Sequence, residues 1–304
     1  MTDIKFSLLL TTKNRKEDLL FTLHKIGHLL DRPDVEYIIC DDGSTDGTSE
    51  RLTEDFPGLQ LFRHEKSKGL IYSRNRLMER AAGEFAISLD DDLHFLTVNP
   101  LEEIDTFFNI HPECAVVSFR IYWNTSAPET IMSNHKTERV KSFAGGAHAW
   151  RMSAWKTIPD YPDWFVFYGE EDFAAYQLFK KQKQIYYLPS VPVHHRVDLK
   201  ERKNKKDYRL RLRRSLRSGW YLYFMFYPWL LIPRRLAYSL WIQLRKRTLK
   251  GDGKATVAIF QAMGDVILNI PRLLRNSNRM TRQEFEEFST LAETKLYWTP
   301  EDEK

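Results

Sequence analysis

Residues 84–95 read EFAISLDDDLHF, an apolar run that ends in Asp90, Asp91 and Asp92. Adjacent carboxylates raise one another's pKa and repel unless a cation relieves them. Taken alone, the triplet fits a solvated acidic turn. Its surroundings decide between that and a site. Short apolar runs at 4–10, 35–40, 59–64, 84–89 and 114–119 read as strands. The stretches 15–30, 46–55, 70–82 and 99–110 between them read as helices. Strand–helix alternation predicts an α/β fold, with a mostly parallel, Rossmann-like central sheet flanked by helices.

Ligands of such sheets bind at the carboxyl ends of the strands. Three polar clusters fall there: TTKNR (11–15) after the first strand, DDGSTDGT (41–48) after the second, and the triplet after the fourth. A strand-end D-x-D, Asp90 and Asp92, suits Mg²⁺ or Mn²⁺ bridging a diphosphate, because hard dications take carboxylates and phosphate oxygens. Thr11, Asn14 and Arg15 offer hydroxyl, amide and cation near a helix start, which favours anions. Asp41 and Asp42 can accept N–H donors from a base or ribose, though DDGSTDGT is also a strong turn sequence.

Further along, FAGGAHAW (143–150) and YPDWFVFYGEED (161–172) break the alternation, a helix is expected over 170–181, and QIYYLPSVPVHHR (184–196) follows. The ordered set LLLTTKNR, IICDDGSTDGT, SKGLIYSRNRLMERAAGEFAISLDDD, FAGGA, YGEED and YLPSVPVHHR resembles the family 2 glycosyltransferases of the GT-A fold, over roughly residues 4–197. Members are inverting enzymes that use nucleotide-diphosphate sugars and a divalent metal.

The resemblance implies the following roles. Thr11, Arg15 and Asp42 line the nucleobase and ribose pocket. Gly69, Arg74 and Asn75 lie near the nucleotide, with Arg74 on the diphosphate, and Asp91 lies near the ribose or donor sugar. Gly145 and Gly146 let backbone approach the donor. Asp90 and Asp92 hold the metal, Mn²⁺ or Mg²⁺, with His195 (or its neighbour His194) brought beside it. Asp172 is the general base. Trp164, Tyr168 and Glu171 are weaker acceptor-side candidates, and core packing competes with a stacking role for the aromatic residues. His94 and His148 read as packing residues. The expected partners are a nucleotide-diphosphate sugar, most often a UDP-sugar, and a glycan or lipid-linked acceptor of the cell envelope.

Composition agrees with a large folded unit: 42% of residues are hydrophobic, enough for a sizeable core. The two cysteines, Cys40 and Cys114, suit a reducing compartment and exclude a cysteine zinc site. The N-terminal apolar run is too short for a signal peptide. No stretch reaches the roughly 18 apolar residues expected of a spanning helix.

The net charge of +5 is unevenly spread: residues 1–197 carry −6, 198–250 carry +13 and the remainder −2. The expected organisation is therefore a catalytic domain over 1–200, with a nucleotide-sugar half to about 95 and an acceptor half beyond it. A helical, basic and aromatic C-terminal region follows over 201–304. Its segment 202–250 combines Arg and Lys with Trp220, Tyr221, Trp229 and Trp241. That mixture suits peripheral attachment to the anionic inner face of a membrane better than nucleic acid, which is not an expected partner. Packing of these helices on the catalytic body is the competing reading. The alternative functions are a sugar-nucleotide pyrophosphorylase, disfavoured because TTKNRKEDLL lacks a glycine-rich phosphate loop, and a non-catalytic nucleotide- or lipid-binding scaffold.

Overall fold

The computed structural model describes residues 3–197 and 207–296. Strands β1 (Phe6–Thr12), β2 (Val35–Asp41), β3 (Gln60–Arg63) and β4 (Phe85–Asp90) pair in parallel in the order β3-β2-β1-β4. β1 is buried at every position, and β4 everywhere but its last. Strands covered on both faces read as continuous apolar runs rather than alternations. Helices α1 (Lys16–Lys25), α2 (Gly27–Leu30), α3 (Thr48–Asp55) and α4 (Leu70–Arg80) make the crossovers. The single helix expected over 15–30 is interrupted at Ile26.

The second half of the sheet is mixed. β5 (Leu93–Phe95) and α5 (Pro100–Ile110) lead into β6 (Cys114–Trp123), β7 (Glu138–Arg139) and β8 (Ala147–Arg151). Then come α6 (Met152–Trp155), α7 (Glu170–Lys180) and β9 (Gln184–His195). β8 lies between β4 and β6, antiparallel to both. β9 runs parallel to β6 and antiparallel to β5 and β7. The parallel order expected from the strand–helix alternation thus holds over β3-β2-β1-β4, and antiparallel strands extend it.

Side chains alternate across a strand, and β1 divides the core accordingly. Leu8 and Leu10 join the layer beneath α1 and α5, while Leu9 faces α4 and α7. The C-terminal helices α8 (Tyr208–Phe226), α9 (Ile232–Lys246), α10 (Gly253–Arg275) and α11 (Arg282–Thr290) cover the Leu9 face. Trp220, Tyr221 and Phe226 of α8 are fully buried there, against Phe165, Phe173 and Tyr176. Each such side chain contributes on the order of 2 kcal/mol through burial. The helical region therefore packs on the catalytic body. The domain boundary expected near 200, and the basic residues 202–206, lie outside the described residues. α10 is long and apolar enough to cross a membrane by length and composition. This corrects the expectation that no stretch is long and apolar enough, because Gln261, Asp265 and Asn269 interrupt the run without lowering its average hydropathy far.

Candidate active site

The three polar clusters do meet at one rim. Parallel registers place Thr11 beside both Cys40 and Asp90, so β1, β2 and β4 end level with one another. Thr12 Oγ1 donates to Asp91 Oδ2 (2.9 Å). Asn14 N donates to Ser44 Oγ (2.9 Å), and Thr45 N donates back to Asn14 Oδ1 (2.7 Å). Asn14 takes a left-handed φ of 53° to make this exchange. Arg15 then reaches across the rim, with Nη1 3.1 Å from Asp91 Oδ1 and Nη2 2.6 Å from Asp92 Oδ2.

The carboxylates of the triplet have separate partners. Asp90 Oδ1 accepts from Arg74 Nη2 (3.1 Å). Asp91 is buried, and burial raises its pKa to about 7; the Arg15 charge opposes this and Asp92 adds to it. Burial also acts to raise Asp92, but His195 and Arg15 together hold its carboxyl far below the usual range. The repulsion expected of three adjacent acids is thus divided among two arginines, a histidine and a threonine.

Pairing of β5 with β9 sets Leu93 opposite His195, and Arg196 N donates to Asp92 O (3.0 Å). This register aims His195 into the rim, while His194 Nε2 turns to Asn124 O (2.8 Å) on the other face. Ligand atoms of Asp90, Asp92 and His195 lie within 4.8 Å of one another. His195 Nε2 stands 2.9 Å from Asp92 Oδ1 in an ion-pair contact rather than an aligned hydrogen bond, and His195 Nδ1 is buried with no hydrogen-bond partner. A buried polar atom of this kind is costly unless something meets it. Two carboxylates and an imidazole fit a divalent cation, and the imidazole favours Mn²⁺ over Mg²⁺. Trp123 stacks on the His195 ring at 6.0 Å and 14°.

Asp42 is fully engaged by protein. It accepts from His64 Nδ1 (3.0 Å), Ser67 Oγ (2.6 Å), Lys68 N (2.7 Å) and Gly69 N (3.0 Å). Burial acts to raise its pKa, and these four donors outweigh it. Asp42 thereby fixes the start of α4, where Gly69 adopts φ 98° with Val166 packed against it. Asn75 exchanges two hydrogen bonds with the Tyr161 backbone, 2.8 and 3.1 Å, and so holds the loop before α7.

Arg74 links the triplet to α7. It is 6% exposed and donates to Glu170 Oε1 (2.8 Å), Asp90 and Gly145 O (2.7 Å). Its pKa stays above the ordinary value, because the charges of Asp90, Glu170 and Glu171 outweigh the loss of solvent. A Cβ on Gly145 would stand 1.8 Å from Glu171 Oε1, and one on Gly146 would stand 3.0 Å from Asp90 Oδ2. These glycines admit the protein's own carboxylates to the rim. Burial, then the Glu170 charge, raises the Glu171 pKa well above the ordinary range. Asp172 is exposed at its own surface, yet the protein around it raises its pKa. That is opposite to the stabilisation of its charge expected from the helix end, and desolvation wins.

Of the acceptor-side residues, Trp164 packs edge-on to Phe165 and tilted against Tyr221, and lies under Arg272, at 4.3 Å. Tyr168 packs edge-on to Phe167 with φ 71°. His94 and His148 are buried as packing residues, with pKa values lowered to about 3, chiefly by burial.

The structure adds Thr12, Trp123, Arg196 and Glu170 to the site residues named from the sequence. Arg196 donates to His94 Nδ1 (2.7 Å), Asp18 O (2.9 Å) and Thr22 Oγ1 (2.7 Å), locking β9 to α1. Only Thr12 carried a signal, as a strand-end hydroxyl next to an already suspect cluster.

Comparison with known proteins gives a consistent result. The family model for glycosyl transferase family 2 matches residues 7–168, more than half of the chain. The uncharacterized glycosyltransferase YfnE of Bacillus subtilis (strain 168) is 32% identical over 93 residues, 30% of this chain. The match spans 24% of that relative, about a quarter of its length. Among solved structures, GalNAc-T7 with UDP, GalNAc and Mn²⁺ superposes with a TM-score of 0.62 at 16% identity, over 89% of this chain and 58% of that one. S. aureus TarS 1–349 in complex with UDP gives 0.57 at 20% identity, over 90% and 83%. The mannosyltransferase PcManGT from Pyrobaculum calidifontis, in complex with GDP-Man and Mn²⁺, gives 0.55 at 15%, over 94% and 79%. Against another TarS structure the chain covers 38% of that protein. At these identities the likeness shows the fold.

Proposed function

Because the chain belongs to glycosyl transferase family 2 and has the GT-A fold, we propose that it is an inverting transferase, moving a sugar from a nucleotide-diphosphate donor to a hydroxyl acceptor. The observation that carries this reading is the cluster of Asp90, Asp92 and His195, whose ligand atoms lie within 4.8 Å of one another on the rim where β1, β2 and β4 end. UDP-sugars are the favoured donors, supported by the UDP bound to GalNAc-T7 and TarS.

Asp90, Asp92 and His195 would hold the cation, Mn²⁺ ahead of Mg²⁺. When bound, such a cation offsets the charge that grows on a departing diphosphate. Arg15 and Arg74 add fixed positive charge at the same rim, and Thr11 and Asp91 border the donor. In the transfer, the acceptor oxygen bonds to the anomeric carbon as the carbon–oxygen bond to the diphosphate breaks. The bonding electron pair leaves with the diphosphate, and the hydroxyl proton passes to Asp172. Asp172 suits this role because it is solvent-facing and pairs with no cation among the described residues. Glu171, held against Gly145 and 3.7 Å from Arg74 Nη1, serves in positioning.

The acceptor is proposed to be a glycan or lipid-linked sugar of the cell envelope, with the enzyme peripheral at the inner face of the membrane. The cationic, aromatic segment through residue 250 supports that placement. NMR of the first-formed product from an α-linked donor tests the chemistry: a β-linkage is expected, and an α-linkage would overturn inversion.

A further inference from the structure

α10 is apolar on its outer face as well as its inner one, unlike an ordinary surface helix. Such a helix puts apolar residues inward and polar residues outward. α10 buries Ala255, Ala258, Ile259, Ala262 and Val266, yet Val257, Phe260, Ile267 and Leu268 also face solvent, Leu268 at 80% exposure. Only 28% of its most apolar window is buried. Its carboxylate, Asp265, takes a two-point contact from Arg213 of α8 (2.6 and 2.7 Å) on the protein side, so it puts no unpaired charge on the outer row.

The neighbouring α9 has the complementary pattern. Leu236, Leu240 and Leu244 pack inward. Outward, at steps of four, three and four, stand Arg234, Tyr238, Trp241 and Arg245. Trp241 is 54% exposed, and Leu230, in the turn before α9, is 93% exposed. Aromatic residues between cations on one helix face match the headgroup layer of a bilayer.

We infer that the outer rows of α9 and α10 form one lipid-docking surface, with the aliphatic row of α10 entering an anionic bilayer and the Arg–Tyr–Trp–Arg row of α9 lying at the headgroups. Charge selects this occupant. α9 carries Arg234, Arg235, Arg245 and Lys246 and no carboxylate, so a second copy would set one cationic helix against another, whereas an anionic leaflet neutralises it. The aliphatic row has no use on a nucleic acid. Leu268 and Pro271 also line a cavity of about 820 Å³ that reaches Trp164 and Arg272, so the lipid-facing row continues into the acceptor-side loop. This deepens the membrane reading above and rests on it for the charge of the surface. It adds that α10, beyond the basic segment, is the inserting element.

Flotation of the full-length protein tests it, with vesicles of mixed phosphatidylcholine and phosphatidylglycerol against phosphatidylcholine alone. Wild type is expected to float with the mixed vesicles only. Ile267→Ser with Leu268→Ser should lower partitioning by about tenfold or more, since each removes a buried aliphatic group. Both positions are exposed, so the thermal midpoint and Mn²⁺-dependent nucleotide binding should not change. Flotation of this variant equal to wild type would overturn the role of α10 while leaving the basic segment as the anchor. No flotation of wild type would overturn both. A dimer without lipid that the same variant dissociates would show that a second copy covers the face, and would also overturn the inference.

Discussion

Asp91 and Asp92 show how far neighbouring residues of one type can be driven apart. Asp91 is pushed up to about 7, while Asp92 is held well below the ordinary carboxylate range by His195 and Arg15. Asp172 follows a third course, solvent-facing yet raised by the protein around it. A general base must be deprotonated in the free enzyme, so kcat/KM should climb with pH until Asp172 has lost its proton. The acid limb should therefore fall above the ordinary Asp value of about 3.9, and a limb at or below that value would contradict the assignment. Asp172→Asn should lower transfer by roughly 10²- to 10⁴-fold while leaving Mn²⁺-dependent nucleotide binding unchanged. Near wild-type turnover in that variant would place the base elsewhere.

At the scale of elements, the site depends on how closely β8 and α7 approach. Gly145, just before β8, leaves room for Glu171, and Arg74 of α4 ties both to Asp90. Gly145→Ala should cost about 1–3 kcal/mol, as overpacking does. Adding Glu171→Ala should recover most of that loss, and urea denaturation of the single and double variants would show whether it does. The first four strands and their helices were legible in the sequence because each is a continuous apolar run followed by an amphipathic stretch. β8 was not, since Ala147, His148, Ala149 and Trp150 are all buried and show no alternation. β5 is three residues long, too short for any periodic signal. Both hidden strands matter, because β5 carries the register that aims His195, and not His194, at Asp92. A pair of adjacent histidines on an extended strand announces that one faces the site; only the pairing partner says which.

At the scale of the molecule, the basic and aromatic C-terminal region was legible as helices, but which of its residues pack on the sheet was not. α8 and α10 complete the core on the Leu9 face of the sheet, with Trp220 and Phe226 buried among catalytic-body residues. The outer faces of α9 and α10 remain uncovered by the described residues. Composition shows both the apolar and the charged content of such a region, and only packing shows which apolar residues are left over. The same holds for the rim. The sequence put TTKNR, DDGSTDGT and the triplet at strand ends, and the fold adds the links among them through Thr12, Asn14 and Arg15.

The most direct measurement is the release of nucleoside diphosphate from a panel of nucleotide sugars, with Mn²⁺ and with chelator, for wild type and Asp92→Ala. The account predicts release from at least one nucleotide sugar by wild type, lost with chelator and reduced by about 10²-fold or more in Asp92→Ala. No metal-dependent release from any nucleotide sugar, or release undiminished in Asp92→Ala, would contradict it.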